Sequence, residues 1–309
     1  MQRGQLGKAL EQFEEAIRVD GRNADAHNAL GAAYGRLGRH TEAVGAFKTA
    51  VELDGALVEA WNNLGATYRA QGLMVEAEST YKRAIEINPH FAGTYYNLAL
   101  LYEGQERPKQ TEEQYKNALL RDPDFVDALN NLGLIYWRQS RWKKAEEQFG
   151  RIIELRPRFS KAHYNLGLVF AGQKRYEAAI IQYEQAIQIN PGYAAAHHAW
   201  GAVRDNQGRY EDAKEKYRRA IELDRSYRKS FYRLGLISAK QGDYDQAAEY
   251  YQQAIEIYPR YGEAYYSLGQ AYIRSGRVEE GKDALATFER LQEEASSKHP
   301  DASVERADR

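Results

Sequence analysis

Apolar residues recur along this chain at intervals of three and four, in blocks separated by short polar turns. In residues 126–159 they are Leu129, Leu132, Ile135, Tyr136, Ala145, Phe149, Ile152 and Ile153. This spacing marks one face of an α-helix, whereas a strand would alternate every second residue. The pattern predicts two amphipathic helices, near 126–139 and 142–155. Helices of this length are marginal alone, so they must be stabilised by packing.

The same order of residues returns every 34 positions. Residues 58–91 carry Trp61, Leu64, Gly65, Tyr68, Gly72, Ala77, Tyr81, Ala84 and Pro89. The next block carries Tyr95, Leu98, Ala99, Tyr102, Thr111, Tyr115, Ala118 and Pro123. A fixed period of this length indicates an architecture of stacked repeats. We expect full repeats at 24–57, 58–91, 92–125, 126–159, 160–193, 194–227, 228–261 and 262–295.

The two ends of the chain depart from the repeat. Residues 1–23 carry only the second half of a unit and predict one helix from Met1 to Arg22, with Leu6, Leu10 and Phe13 on one face. The helix that would cover this face is absent from the sequence, so we expect either a truncated chain or a contact with another molecule. Residues 296–309 are polar and predict a disordered tail.

The repeated order of a bulky residue, leucine, glycine, tyrosine, alanine, an aromatic residue and proline resembles the tetratricopeptide repeat. The resemblance covers eight full repeats and the half repeat at the N-terminus. It implies an all-α fold, a right-handed superhelical solenoid of antiparallel helix pairs. At the turn between paired helices, Glu106 and Lys174 depart from the family pattern by replacing the usual glycine.

The composition of the chain argues against several classes of function. With 43 Lys and Arg against 44 Asp and Glu, the formal net charge is −1, which argues against a general nucleic-acid binder. The absence of cysteine excludes disulfides, zinc-thiolate sites and thiol catalysis. No apolar run approaches the ~20 residues that span a bilayer, so we expect a soluble chain without membrane insertion. The compartment stays open: the cytoplasm is the default, and an exported or periplasmic protein is the alternative if an N-terminal segment is missing.

No set of residues predicts catalysis. His27, His163 and His197 fall at the bulky first position of the repeat, where a core or interface histidine is expected. The glycines are explained by the repeat, and the many carboxylates of the second helices are typical of a solvated face. We therefore expect no enzyme, no metal site and no cofactor.

The resemblance implies that the first helix of each repeat lines an inner groove. The partner-binding candidates are Asn62, Asn63, Tyr96, Asn97, Leu100, Asn130, Asn131, Leu134, Trp137, Tyr164, Asn165, Leu168, Lys229, Tyr232, Arg233 and Arg274. Asparagine amides both donate to and accept from a peptide backbone, while tyrosine and tryptophan are enriched at binding hot spots. The alternative is that the asparagines only cap helices or fill space between packed helices. Their row resembles the ladder in the repeat region of O-linked N-acetylglucosamine transferases.

The groove positions are more acidic in the first half of the chain and more basic in the second. Lys229 and Arg233 lie four apart on one helix and resemble half of the carboxylate clamp of co-chaperones. The other half is missing, because Tyr164 and Leu168 stand where lysine and asparagine would be needed. We expect a less specific acidic contact at Lys229, Arg233 and Arg274, with ordinary solvated charges as the alternative.

These observations predict a non-enzymatic scaffold or adaptor that binds an extended peptide segment of a partner in its groove. A first alternative is a substrate-recruiting or regulatory arm of a larger enzyme, such as a glycosyltransferase resembling O-linked N-acetylglucosamine transferase. A further alternative is self-assembly through the open helix of residues 1–23.

Overall fold

The computed structural model describes the backbone of residues 2–298 and the side chains of residues 7–297. These residues form an all-α helical repeat of seventeen helices without strands, which confirms the predicted fold class. One compact unit, Met1–Leu155, holds α1 (Gln2–Val19), α2 (Ala24–Arg36), α3 (His40–Leu53), α4 (Val58–Ala70), α5 (Met74–Ile87), α6 (Ala92–Gly104), α7 (Pro108–Arg121), α8 (Val126–Arg138) and α9 (Trp142–Leu155). The second, Arg156–Arg309, holds α10 (Ser160–Gly172), α11 (Tyr176–Ile189), α12 (Ala194–Asn206), α13 (Tyr210–Leu223), α14 (Arg228–Lys240), α15 (Tyr244–Ile257), α16 (Gly262–Arg274) and α17 (Val278–Lys298).

Helices follow one another in pairs joined by short turns. The first helices of the pairs begin at Ala24, Val58, Ala92, Val126, Ser160, Ala194, Arg228 and Gly262, which are the first residues of the predicted repeats. We number positions 1 to 34 from these residues. Within each unit a first helix packs against the second helix of its own repeat and against neighbouring repeats, so the apolar faces predicted from the sequence are covered in succession.

A glycine at position 8 lets the two helices of a repeat approach closely. A Cβ atom built on Gly133 would lie 2.8 Å from the ring of Phe149, and one on Gly167 would clash with the ring of Tyr183. Both rings, at position 24, are fully buried. In repeats with glycine at position 8, an added side chain would therefore overpack the interface between paired helices, whereas residues 92–125 carry Ala99 there.

Position 15, in the turn between paired helices, has a left-handed backbone. The glycines there have φ between 75° and 87°: Gly38, Gly72, Gly208, Gly242 and Gly276. Glu106, Ser140 and Lys174 adopt φ of 56°, 56° and 60° at the same place. The turn is thus kept in three repeats by residues that tolerate this conformation less well than glycine.

The ends of two helices differ from the sequence prediction. The first helix ends at Val19 rather than Arg22, because the Asp20 carboxylate accepts a hydrogen bond from the Arg22 amide and Asn23 caps the next helix through the Ala26 amide. The last helix continues through residues 296–298, where the disordered tail was expected to begin. Residues 299–309 lie outside the described residues.

Candidate functional site

The candidate surface of the first unit is the open side of its first helices. Positions 3, 7 and 8 are buried, while the predicted residues at positions 5, 6, 9 and 12 are half-buried, except Asn130, which is buried. Those on this surface are Asn62, Asn63, Tyr96, Asn97, Leu100, Asn131, Leu134 and Trp137. The structure thus brings amides, aromatic rings and leucines together along α4, α6 and α8.

The asparagines of this surface hydrogen-bond from one repeat to the next. The Asn63 Nδ2 donates to Asn28 Oδ1 over 3.1 Å, and the Asn97 Nδ2 donates to Asn62 Oδ1 over 2.9 Å. In both pairs position 6 donates to position 5 of the preceding repeat, 35 residues earlier. We call this series the amide ladder. It ties neighbouring repeats together.

The ladder changes at the fourth full repeat, where its acceptors are phenol groups. Asn131 Nδ2 lies 3.1 Å from the hydroxyl of Tyr115 and 3.5 Å from that of Tyr96. Tyr115 in turn donates to a carboxylate oxygen of Glu103 over 2.9 Å. Asn131 is therefore held in place by two tyrosines of the preceding repeat.

Two predicted asparagines lie beneath the surface. Asn130 is 7% exposed and donates to Asn131 Oδ1 over 3.1 Å, while Asn165, in the second unit, is 3% exposed. Side chains this deep offer a partner almost no area. They support the surface from below, and direct contact falls to their more exposed neighbours.

The tyrosine at position 5 lies between two other aromatic rings. The ring centroid of Tyr96 is 5.8 Å from that of Tyr115 and 4.9 Å from that of Phe125, with the rings tilted. In the second unit Tyr232 lies 5.7 Å from Tyr251 and 5.2 Å from Tyr261. Tilted contacts at these distances are favourable for aromatic pairs, so the tyrosines are fixed rather than free to rotate.

The third member of each cluster, at position 34, was not predicted from the sequence. In the second unit this position holds Tyr193, which is 5.1 Å from Tyr164, and Tyr227, which is 5.1 Å from His198. Burial, with the nearby Tyr164 phenol second, raises the pKa of Tyr193 and of Tyr227 to about 12, so both are neutral hydrogen-bonding groups at ordinary pH. The signal was present as the aromatic residue that ends six successive repeats, namely Phe91, Phe125, Phe159, Tyr193, Tyr227 and Tyr261.

His163 and His198 are held by hydrogen bonds within the fold, whereas the buried Nδ1 of His197 has no hydrogen-bond partner among the described residues. His163 Nε2 lies 3.0 Å from the carbonyl oxygen of Pro157, and at the same repeat position Trp61 Nε1 donates to the carbonyl of Gly55 over 3.0 Å. His198 Nδ1 lies 2.9 Å from the buried hydroxyl of Ser230. Burial lowers the pKa of His198 to about 4, helped by the charges of nearby arginine and lysine, so its ring is neutral. Across the described residues no cluster of histidine and carboxylate side chains could hold a metal ion.

The predicted basic residues of the second unit differ in their surroundings. Lys229 is exposed and forms no ion pair with any described residue. Arg233 lies 3.7 Å from a carboxylate oxygen of Asp205, whose side chain is only 5% exposed, and Lys240 lies 3.4 Å from the other oxygen. The Arg274 guanidinium donates to the hydroxyl of Tyr244 over 3.2 Å.

A small cavity lies between α14 and α16 on this side of the second unit. Its volume is about 180 Å³. Leu236, Tyr251 and Tyr266 contribute to its walls, with Ser267 and the predicted Arg274 also lining it. Tyrosine and leucine walls beside a guanidinium can hold an apolar side chain next to a carboxylate.

The described helices include none with the length and apolarity that crossing a bilayer requires.

Comparison with known proteins identifies the repeat. A tetratricopeptide repeat model matches residues 96–152, 136–194 and 198–261, more than half of the chain, and related models match residues 1–38, 24–56, 58–91 and 238–302. A search of curated proteins gave no match.

Solved structures share the fold. PilF of Pseudomonas aeruginosa is 25% identical, with a TM-score of 0.55 over 67% of this chain and 93% of that one. A tetratricopeptide repeat protein from Parabacteroides merdae is 18% identical, with a TM-score of 0.60 over 84% and 99%. A chain of the Cut9–Hcn1 hetero-tetramer of the APC/C is 16% identical, with a TM-score of 0.60 over 86% of this chain and 52% of that one. The chain belongs to the tetratricopeptide repeat family, whose repeats form protein-interaction scaffolds.

Proposed function

We propose that the chain binds an extended peptide segment of a partner protein along the open side of its first helices. The observation that carries this proposal is the cavity between α14 and α16, where Leu236, Tyr266 and Arg274 converge. Its volume suits one medium-sized apolar side chain. The guanidinium of Arg274, which is exposed, can pair with an acidic residue next to that side chain.

The first unit supports the proposal with large side chains that are half-buried and already ordered. Tyr96 is fixed between two rings, and Leu100, Leu134 and Trp137 lie on the same side of α6 and α8. Tryptophan and tyrosine lose little conformational entropy on binding and dominate binding hot spots. A partner can therefore bury apolar surface here without reordering the helices.

The amide ladder supplies polar groups whose positions are fixed before binding. Each asparagine amide has two N–H donors and one acceptor oxygen. In the pair of Asn97 and Asn62, the ladder uses one N–H of the first and the oxygen of the second. The second N–H of Asn97 can donate to a carbonyl of an extended peptide, which gives affinity with little demand on sequence.

The partner segment that contacts the second unit is expected to be acidic. Lys229 and Arg274 are exposed cations on this side, whereas part of the charge of Arg233 is neutralised by Asp205. Exposed charges add specificity and faster association more than affinity. The acidic contact therefore selects the segment, and the apolar cavity holds it.

Selection from a phage-displayed library of random peptides tests the proposal. The selected peptides should carry an acidic residue beside an apolar one. Their affinity, measured by fluorescence polarisation, should fall about tenfold or more in Tyr266→Ala/Arg274→Ala, since a hot-spot side chain contributes at least ~1.4 kcal/mol.

Arg219→Ala is the matched control, because it removes an exposed arginine from α13, away from the cavity. Its affinity should stay within about twofold of the parent chain. Equal binding by the cavity variant and the parent would overturn the assignment of the cavity. For the first unit, unchanged binding after Asn131→Ala/Trp137→Ala would remove that surface from the proposal.

A further inference from the structure

Charge is unevenly distributed over the loops that connect successive repeats. Each loop runs from position 31 of one repeat to position 2 of the next. We call residues 20–25, 54–59, 88–93 and 122–127 the acidic edge of the first unit. We call residues 156–161, 190–195, 224–229 and 258–263 the basic edge of the second unit.

The two edges carry opposite net charge in a chain whose total charge is near zero. The acidic edge contains seven carboxylates and one arginine, and the basic edge contains seven cations and two carboxylates. Most of these side chains are exposed. A chain with a formal net charge of −1 therefore presents a strongly acidic strip on one unit and a strongly basic strip on the other.

Successive loops lie side by side within each unit. In the first unit the Arg121 Nε donates to the carbonyl of Pro89 over 2.9 Å, which joins the end of one repeat to the preceding loop. In the second unit the Arg228 guanidinium lies 4.8 Å from the ring centroid of Tyr258 in the next loop. Arg228, Lys229 and Arg260 also line one open cavity of about 480 Å³. These contacts place neighbouring loops of an edge beside one another.

Local stability explains the acidic edge but not the basic one. Asp25, Glu59 and Asp127 lie in the first turns of α2, α4 and α8, where a negative charge stabilises the helix. Lys161 and Lys229 occupy the corresponding places in α10 and α14, whose first turns contain no acidic residue. A positive charge there opposes the helix dipole.

Arg156 departs from the local rule in a second way. At the same position Asp54 and Asp122 accept a hydrogen bond from the amide two residues on, which closes the loop. An arginine cannot accept that bond. Residues that break local rules without local compensation are expected at functional surfaces.

The cations of the basic edge are largely unpaired. Arg156, Arg158, Lys161, Arg225 and Lys229 form no ion pair with any described side chain, whereas Arg260 pairs with Glu294 over 2.8 Å. On the acidic edge, Asp25, Glu59 and Asp127 likewise have no ion-pair partner in the described part of the chain. Both surfaces are therefore available for charges from outside.

We propose that two copies of this chain associate with the basic edge of one on the acidic edge of the other. The partner surface is argued from charge complementarity, since the chain itself carries an acidic strip with the same loop spacing as the basic one. Such a contact is heterologous, and each copy keeps one edge open for a further copy. Because exposed ion pairs are weak and screened, the association is reversible and sensitive to salt.

Two charge-reversed variants test the pairing. Arg156→Glu/Arg158→Glu/Lys161→Glu removes the net positive charge of the basic edge and leaves the acidic edge intact. Asp25→Lys/Glu59→Lys/Asp127→Lys cancels the net negative charge of the acidic edge and leaves the basic edge intact. In sedimentation velocity, the apparent molecular mass of the unmodified chain should rise with protein concentration at ~20 mM salt. At ~0.5 M salt it should return to the mass of the monomer. Each variant alone should remain monomeric at low salt, and an equimolar mixture of the two should associate again.

If the mixture of the two variants associates again, unfolding is excluded as the reason why each variant alone does not associate. Circular dichroism of each variant checks that its helices are intact. A constant monomer mass of the unmodified chain at low salt would overturn the proposal. Association of either variant alone, to the same extent as the unmodified chain, would also overturn it. The variants leave Tyr266 and Arg274 unchanged, so selected peptides should still bind both, which separates this proposal from the proposed function.

Discussion

The side-chain amide of Asn97 donates a 2.9 Å hydrogen bond to the side-chain oxygen of Asn62, one repeat earlier. Both residues are half-buried on the open side of α6 and α4. A hydrogen bond between side chains 35 residues apart couples neighbouring repeats directly. The asparagine row therefore contributes to stability as well as to the surface proposed for binding.

Asn97→Ala should lower the free energy of unfolding by about 1 kcal/mol, because the bond is lost and the Asn62 oxygen is left without its donor. Alanine also gains about 0.5 kcal/mol of helix propensity over asparagine, which opposes the loss. Asn206→Ala is the reference for losing an asparagine side chain that makes no bond to the described residues, since Asn206 is exposed at the last residue of α12. Urea unfolding followed by circular dichroism compares the two.

A double-mutant cycle of Asn62→Ala and Asn97→Ala isolates the coupling. We expect an interaction free energy of about 0.5–1 kcal/mol. Additive effects of the two changes would show that the ladder does not stabilise the stack.

The close approach of paired helices gives a second prediction. Gly133→Ala should destabilise the chain by about 1–3 kcal/mol through overpacking, because the new Cβ would lie 2.8 Å from the Phe149 ring. Gly150→Ala is the matched control on α9 of the same repeat, where nothing lies within 4 Å of the new Cβ. It should stabilise the helix by about 0.5–1 kcal/mol. If the urea midpoints of Gly133→Ala and Gly150→Ala shifted in the same direction relative to the parent chain, this interpretation would be contradicted.

The fixed 34-residue period made the helices predictable. The spacing of Leu132, Gly133 and Phe149 places the buried faces, and the structure starts each first helix at the expected residue. The ends of the helices were less predictable. Helix α1 ends at Val19, where the Asp20 side chain accepts a hydrogen bond that the repeat pattern does not predict. A period predicts which residues face inward, while capping depends on individual side chains.

The chemistry of the open surface was only partly predictable. The sequence placed Asn97 and Tyr96 on it, but not the partners that hold them, since those contacts depend on rotamers of residues in a neighbouring repeat. Arg233 was expected to contact an acidic group of a partner, with an ordinary solvated charge as the alternative, and the buried carboxylate of Asp205 within the chain lies 3.7 Å from it. Pairwise contacts of this kind follow from the stacking geometry and not from the pattern of one repeat.

The left-handed turns give a third prediction. Ser140→Gly should stabilise the chain by about 0.5–1 kcal/mol, because φ is 56° there and glycine adopts positive φ without steric cost. The reverse change, Gly208→Ser, at φ 75°, should destabilise it by a similar amount. Thermal unfolding of both variants provides the measurement, and destabilisation by Ser140→Gly would show that the serine side chain has a role of its own.

Glu112 links two repeats through charge and gives a prediction about pH. Its carboxylate accepts hydrogen bonds from Arg141 and from Lys116, each over 2.6 Å. Burial by itself would raise the pKa of Glu112, but these two bonds and charges outweigh it and lower the pKa to about 2. Since an unfolded glutamate has a pKa of about 4.3, folding favours the ionised form.

The contribution of Glu112 to stability is therefore fully present above about pH 4.3 and is lost as pH falls towards about 2. Glu112→Gln should cost about 1 kcal/mol at pH 7, and its deficit relative to the parent should shrink steadily between pH 5 and pH 2. Glu113→Gln is the control, because it removes a neighbouring exposed carboxylate that forms no ion pair with the described residues. Urea midpoints at pH 7, 5, 4 and 3 give the comparison, and a deficit independent of pH would mean that Glu112 acts through packing and not through its charge.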